Sequence, residues 1–553
     1  MAKKSKKDGF MIQAAILAAA GFLSRIIGLL YAVPLYQIIG EEGNGYYATA
    51  YDIYFMILLI STYSIPTAVS KVISQRLAVE EYKNANKLFK CSLIYVLVVG
   101  SFTAAITFIF APYLVVDQSV LCLRIMAPTI FFSGLLSVFR GYMQAHNTMV
   151  PTAVSQIIEQ IMNAVVSVAA AYIFTLPFRN GVDESQIAVH GAAGSALGTF
   201  AGVIAGLIFI LFVYIHRRST IVEKVSSDNN PHEESYRDLF KVIFLMVTPV
   251  ILSTFIYNVS TTFDMKIYWN AISHKTISTS DASRTYGIYS RQFLVLINLP
   301  IAIASAVSSA LIPGISGAYS KGDIEDVNSR LNKAVRTTML IMIPSAIGMA
   351  VLANPIMQLL FSGTDARAGY ALAGGCVSIV FYALSTVTNG VLQAIGKVSE
   401  PVKNAAITLV IHLAFVIIGL NVLEASYSLA ILVAGSVVYS FFMVILNARS
   451  INKHLGYKTD SDKVFLRPAI SAAVMGVAAY CLYKIVYHIC VVNMPGRTGI
   501  ANGLGLIISI LVAIIIYAFM ILRIGGYTEE ELLDIPKGAV IVRVAKKLRL
   551  IKP

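Results

Sequence analysis

Residues 9–40, GFMIQAAILAAAGFLSRIIGLLYAVPLYQIIG, are an apolar run with a single charge, Arg25, near the middle. A helix needs about 20 apolar residues to cross a bilayer core, and this run exceeds that. The basic start MAKKSKK resembles the opening of a secretory signal, but the apolar stretch is too long for a cleaved one. It is expected to stay as a first membrane helix.

Runs of the same kind recur as far as residue 523. Fourteen helices are expected, at 10–39, 45–74, 88–111, 118–143, 150–176, 190–216, 239–269, 286–318, 331–353, 368–395, 401–421, 426–448, 466–489 and 499–523. The composition agrees: 57% of the 553 residues are hydrophobic and 13% charged, with a mean hydropathy of +0.74. No soluble domain of this size carries that balance, so the class is an all-α integral membrane protein.

The net charge of +14 raises nucleic acid as a partner, and the placement of the cations answers it. Most of the 43 lysines and arginines lie in the two tails and in the loops after even-numbered helices. That asymmetry is the positive-inside signature, which puts both termini in the cytoplasm and makes the helix count even. Nucleic acid is not expected. The five cysteines show no CxxC spacing and read as small hydrophobes in or beside apolar helices.

The chain repeats itself. GYMQAHNTMVP (141–151) and GVLQAIGKVSEP (390–401) share a Gly, a Gln-Ala three residues on, and a Pro that opens the next helix. SIPTAVSKV (64–72) and LIPGISGAY (311–319) share Ile-Pro and a later serine at a similar offset. Six helices separate the copies, an even number, so the halves have the same membrane orientation, as in parallel-repeat transporters. The expected organisation is an N-lobe at 1–218, a polar linker at 219–238, a C-lobe at 239–450, two further helices at 451–523, and a cytoplasmic basic tail at 524–553. The end of the tail mixes Val, Leu and Ile with Arg543, Lys546, Lys547, Arg549 and Lys552. It suits either a helix lying on anionic inner-leaflet lipid or a frayed basic end.

Charges inside the membrane need a reason, because each costs about 2.5–3.5 kcal/mol at the bilayer centre. Arg25 borders a face made by Gly21, Ser24 and Gly28, which lets neighbouring helices approach closely. Its fork of donors suits phosphate oxygens, and an interhelical ion pair is the alternative. Arg291 lies about one turn into helix eight and reads as a substrate contact on the same ground. Asp264 and Lys266 are two apart and cannot face each other on a helix, so each is expected to pair elsewhere or to serve the substrate. Asp52 sits among Tyr46, Tyr47, Tyr51 and Tyr54. Those tyrosines read as an interfacial belt, with Asp52 a cation or proton site or a partner for Arg25. Glu159 lies with Gln156, Gln160 and Asn163 on adjoining faces of helix five, either as a functional carboxylate or as polar glue. Arg124 and Lys484 lie near helix ends and are expected to snorkel.

Enzyme signals are missing: there is no HExxH, no P-loop and no GxSxG. The longest hydrophilic stretch is too short for a catalytic domain or an ATPase, and no outer loop is large enough for a membrane glycosyltransferase.

With LSRIIGL (23–29), SIPTAVSK (64–71) and PTAVSQIIEQI (151–161), the chain resembles the multidrug/oligosaccharidyl-lipid/polysaccharide flippase superfamily. The likeness is to its polysaccharide-biosynthesis branch, which includes stage V sporulation protein B and lipid II flippases. The resemblance implies two six-helix lobes around a cavity that opens alternately to each side, with helices thirteen and fourteen forming a groove for a polyprenyl tail. It implies that Arg25 and Arg291 line a cationic cavity. A second helix-one arginine of such flippases is Tyr31 here, and their acidic residue early in helix two falls near Gly45, with Asp52 a displaced candidate. The expected substrate is an undecaprenyl-pyrophosphate-linked cell-wall precursor, lipid II foremost, with Arg25, Arg291, Lys266, Asp52, Glu159 and Asp264 as site residues. Another lipid-linked polysaccharide unit, or a cation-coupled drug exporter on the same scaffold, is the alternative. No cofactor is expected beyond a coupling ion, and proteins of cell-wall synthesis are possible partners.

Overall fold

Gly40 has φ +66° and ψ −171° inside the helix that opens the chain, a setting that glycine reaches at little steric cost. Helix α1 (Ala2–Leu58) therefore has two limbs, 2–39 and 41–58, that meet at a bend. The bend falls where the sequence divides helices one and two. The computed structural model describes residues 2–63, 65–146, 148–179, 183–228, 233–457 and 459–526, with Val542, Arg543 and Lys546 of the tail. The rest of the expected amphipathic tail lies outside the described residues.

A π turn at Leu59–Tyr63 follows α1, and then come α2 (Ile65–Ala78), α3 (Tyr82–Leu114), α4 (Asp117–Ala145), α5 (Val150–Arg179), α6 (Glu184–Ser226), α7 (Tyr236–Asn258), α8 (Ser260–Ser273) and α9 (Thr279–Gly287). A second π turn, Ile288–Phe293, leads into α10 (Leu294–Ser320), α11 (Ile324–Val351), α12 (Ala353–Leu360), α13 (Ala366–Gly375), α14 (Val377–Ala394), α15 (Ser399–Val422), α16 (Ser428–Leu455), α17 (Arg467–Asn493) and α18 (Thr498–Arg523). No strand occurs among the described residues. Asp183, Ser235, Ser278 and Asp323 each cap a helix start by accepting from the backbone N–H three residues on.

Twelve stretches of the described residues are long and apolar enough to cross a membrane, which makes this a multi-pass membrane protein. One of them, Ala19–Ser61, contains the Gly40 bend, and residues 239–269, expected as helix seven, are not among the twelve.

The chain folds as two units, Met1–Arg291 with Ile417–Ser428, and Gln292–Val416 with Leu429–Pro553. In the first, Val69, Leu88, Phe89, Phe139, Leu207 and Leu239 belong to one apolar core drawn from α2, α3, α4, α6 and α7. Helices α5 and α6 touch backbone to backbone. A Cβ on Gly194, Gly198 or Gly202 would meet Ala170 O at 2.6 Å, Ser167 Oγ at 2.0 Å or Glu159 O at 2.5 Å, the small-residue packing that bilayer helices favour. The linker is not a loop throughout. Helix α6 runs on to Ser226, and beyond it Glu234 and Glu233 pair with Arg76 at 2.5 Å and Lys87 at 2.7 Å. The Lys87 hydrogen bond and charge hold the exposed Glu233 carboxyl below its ordinary value.

In the second unit the two additional helices are packed in place. Tyr483 of α17 donates to Asn502 of α18 at 2.9 Å, and Gly476 of α17 lies close enough to α11 that a Cβ there would meet Ile347 at 2.9 Å. The sequence repeat has a matching packing role in each unit. A Cβ on Gly141 would meet Pro66 O at 2.8 Å, and one on Gly390 would meet Ser308 Oγ at 2.0 Å. Each repeat glycine thus lies against the helix that carries the Ile-Pro motif of its own copy. Cys91, Cys122 and Cys376 are buried as expected, but Cys481 is exposed. It shares the outer face of α17 with the exposed Val477, Tyr480 and Ile485, a face whose apolar side chains suit hydrocarbon.

Candidate functional site

The second limb of α1 restarts at Glu41 and lies against α9 with almost nothing between the backbones. A Cβ on Gly45 would fall 1.9 Å from Ser283 O, and one on Gly287 would fall 2.5 Å from Glu41 O. Glu42 fastens this end and is buried. Its carboxylate accepts from Tyr46 OH at 2.9 Å and from Ser280 Oγ at 2.5 Å, while its carbonyl accepts from Ser283 Oγ at 2.8 Å. Arg284 completes the cluster, 3.9 Å from Glu42 and 3.7 Å from Glu184.

Further along the limb, Asp52 is buried. Its Oδ2 accepts from Tyr286 OH at 2.5 Å and its carbonyl accepts from Thr262 at 3.1 Å. Asp264 of α8 is also buried and accepts from Tyr289 OH at 3.1 Å. Tyr286 and Tyr289 sit at the junction of α9 and the π turn, with ring centroids 6.1 Å apart. Two carboxylates from different helices thus hang from neighbouring phenols. A buried carboxylate held by a donor keeps the hydrogen bonding that burial would otherwise remove.

Arg291 is carried by the same π turn, a local widening that often re-aims a functional side chain. It is half-buried. Its guanidinium lies 4.6 Å from the Tyr47 ring centroid and 5.9 Å from that of Tyr51, with Tyr31 as a hydrogen-bond partner. Among the described residues it has no carboxylate within ion-pair distance. Tyr47, Tyr51 and Phe55 recur every four residues and stack down one helix face at 5.8 and 6.0 Å. The cation therefore rests on an aromatic ladder, an attraction worth up to about 2 kcal/mol once water is excluded, and the donors that Tyr31 does not engage stay available to an anion.

The expected interfacial belt is not what these tyrosines form: Tyr46, Tyr47 and Tyr54 are buried, because this limb is enclosed by α5, α6, α8 and α9. Tyr31, on the first limb, accompanies the Arg291 cation. Glu42, three residues before Gly45, is a buried acidic residue at the start of the second limb. Asp52, Asp264 and Arg291 are brought to one cluster. The other three candidates lie on the first limb, on α8 and on α5. Arg25 is exposed on the first limb. Lys266 is exposed and donates to the carbonyl of Leu114 at the end of α3. Glu159 accepts from Arg140 at 2.7 Å, and Arg140 also donates to Ser155 at 2.8 Å, the arrangement of polar glue between α4 and α5. Arg140→Ala should lower stability by about 2–3 kcal/mol by stranding the Glu159 carboxylate. Arg140→Ala/Glu159→Ala should recover part of that loss in thermal unfolding of the detergent-solubilised protein.

The second unit holds a cavity of about 610 Å³ between α11–α13 and α17–α18, lined by Tyr370, Tyr480, Tyr483, Tyr487 and Lys484 with Asn354. Lys484 lies 5.5 Å from the Tyr480 ring.

Comparison with known proteins agrees with this architecture. Residues 115–496 match the family described as Lipid II flippase MurJ. The Lipid II flippase MurJ of Bacillus subtilis (strain 168) is 26% identical over 492 residues, covering 84% of this chain and 86% of that protein. Stage V sporulation protein B of the same organism is 25% identical over 545 residues, covering 97% and 100%. Among solved structures, a lipid II flippase MurJ in an inward closed conformation superposes with a TM-score of 0.63 at 16% identity, covering 91% of this chain and 97% of that one. An inward-facing multidrug resistance MATE family transporter gives 0.56 at 18%, covering 80% and 95%. At those identities the superpositions establish the fold.

Proposed function

Because the chain belongs to the lipid II flippase MurJ family, a family of transporters, we propose that it carries an undecaprenyl-pyrophosphate-linked cell-wall precursor, lipid II, from the inner to the outer leaflet. The observation that carries this reading is the Arg291 guanidinium, a permanent cation half-buried in a membrane helix and held by tyrosine rings. A sugar-pyrophosphate head cannot cross hydrocarbon unaided. Arg291 and Arg25 bind the pyrophosphate, Lys266 adds charge at the rim, and the polyprenyl tail stays in lipid. Asp52 and Asp264 offset the cation and hold any coupling ion or proton, and Glu159 fixes helix five through Arg140.

The transporter crosses the membrane fourteen times with both termini cytoplasmic, the Gly40 bend separating two crossings and residues 236–273 supplying another. Its two six-helix lobes rock to expose the site alternately to each side. An inside-negative potential favours outward movement of an anionic head by about 2.3 kcal/mol per charge per 100 mV, so the potential or an ion gradient supplies the drive. Cells depleted of their own lipid II flippase should regain growth and outer-leaflet lipid II when this chain is expressed. Failure with correct membrane insertion would count against lipid II and leave other lipid-linked glycans as the substrate.

A further inference from the structure

At one end of α4 and α6, a cleft of about 320 Å³ is lined by Tyr142, His146, Thr148, Arg217, Ile221 and Lys224. It uses none of the residues around Arg291. Arg217 and Lys224 are seven apart, two turns along one face of α6, so both cations reach the same cleft. Among the described residues neither has a carboxylate within ion-pair distance, and none of the cleft's lining residues is acidic. Arg217 Nη1 donates to Thr148 Oγ1 at 3.2 Å, and Thr148 donates to the His146 carbonyl at 3.2 Å. Lys224 lies 5.8 Å from the Tyr82 ring.

His146 packs its ring on Tyr142 at 4.6 Å, and its Nδ1 is 2.9 Å from the Tyr142 carbonyl. A carbonyl only accepts, so Nδ1 carries the hydrogen and Nε2 is left for another partner. The floor is rigid: Tyr142 is buried against Phe89, whose ring centroid is 4.3 Å away.

The geometry points to a phosphate-binding cleft in which Arg217, Lys224, Thr148 and His146 Nε2 hold one phosphate group, carried by an anionic phospholipid headgroup or free in solution. Cations that only obey the inside rule are solvated separately. Here two exposed cations line one cleft with a hydroxyl and an imidazole and no acidic residue, and an anion placed there is attracted by both.

Burial, with the charges of Lys224 and Arg217, holds the His146 ring below its ordinary value. The groups lining the cleft with it are Tyr142 from its own helix, Thr148 beyond it, and Arg217 and Lys224 from α6. A bound phosphate favours the protonated ring, so Nε2 takes up a proton and donates. For a phosphodiester headgroup, whose charge stays constant near neutral pH, affinity therefore rises as pH falls.

The test uses the full chain in nanodiscs. In the first arm, phosphatidylcholine discs are titrated with inorganic phosphate by calorimetry. In the second, discs containing phosphatidylglycerol are used, and lipid retained by the protein is counted by native mass spectrometry. Binding in the first arm assigns free phosphate, and retention in the second assigns the headgroup. In either arm Arg217→Gln/Lys224→Gln should weaken binding at least tenfold while the thermal midpoint stays within a few degrees. No binding in both arms, or binding by the double variant within twofold of the unmodified chain, overturns the proposal. His146→Gln should flatten the pH dependence of phosphatidylglycerol retention, and a flat retention profile in the unmodified protein overturns the part given to His146.

Discussion

Arg291→Ala should fail to restore outer-leaflet lipid II in flippase-depleted cells, with transport reduced roughly 10- to 150-fold. That range corresponds to losing hydrogen bonds to a charged partner at about 1.5–3 kcal/mol. The variant leaves the tyrosine ladder in place, since Tyr47 keeps its bond to Thr199 at 3.1 Å and its stack on Tyr51. A loss of transport with unchanged thermal stability therefore reports the missing cation. Arg291→Lys separates charge from shape. Lysine keeps the positive charge but loses the planar face that lies on Tyr47 and the fork that grips two oxygens, so it should recover only part of the activity. Arg25→Ala tests whether the exposed cation of the first limb shares the load. Full rescue by both alanine variants would remove the anion-binding assignment.

The sequence carries the helices because bilayer crossing is a matter of apolar length, and residues 9–40 state it without reference to any partner. It carries the division between the first two helices because that run ends at Gly40. Other features depend on which helix lies next to which. Asp52 and Tyr286 are far apart along the chain, and only packing of α1 on α9 makes them a pair. Among the four tyrosines near Asp52, spacing shows Tyr47 and Tyr51 on one face, but spacing does not tell a belt from a platform for Arg291. The π turn at Ile288–Phe293 has no sequence signature either, since its extra residue is accommodated by its neighbours. Glu159 was legible as polar and as belonging with other polar groups, yet its partner Arg140 is a cation near the end of its own helix, easily taken for part of the inside charge. Glu42 offered the clearest unused signal, an acidic residue two positions after a helix-breaking glycine.

Gly45→Ala should be the most damaging single methyl in the first unit. The added carbon would sit 1.9 Å from the Ser283 carbonyl oxygen and 2.6 Å from its carbon. Those are backbone atoms of α9, so no rotamer change relieves the clash and the two helices must separate. Overpacking costs typically 1–3 kcal/mol, and a backbone obstruction places this variant at or above about 3 kcal/mol. Separation also loosens the hydrogen bonds that cross the same seam, Ser280 and Ser283 to Glu42 and Tyr286 to Asp52. The π turn that carries Arg291 follows directly from α9, so the cation should shift off the Tyr47 ring. The expected result is a lowered thermal midpoint together with lost transport, whereas Gly40→Ala, with nothing within 4 Å of its Cβ, should show only the smaller strain of its positive φ. Gly45→Ala with a thermal midpoint as high as that of the unmodified chain would mean that α1 and α9 are not in backbone contact, and the placement of Arg291 would fall with that contact.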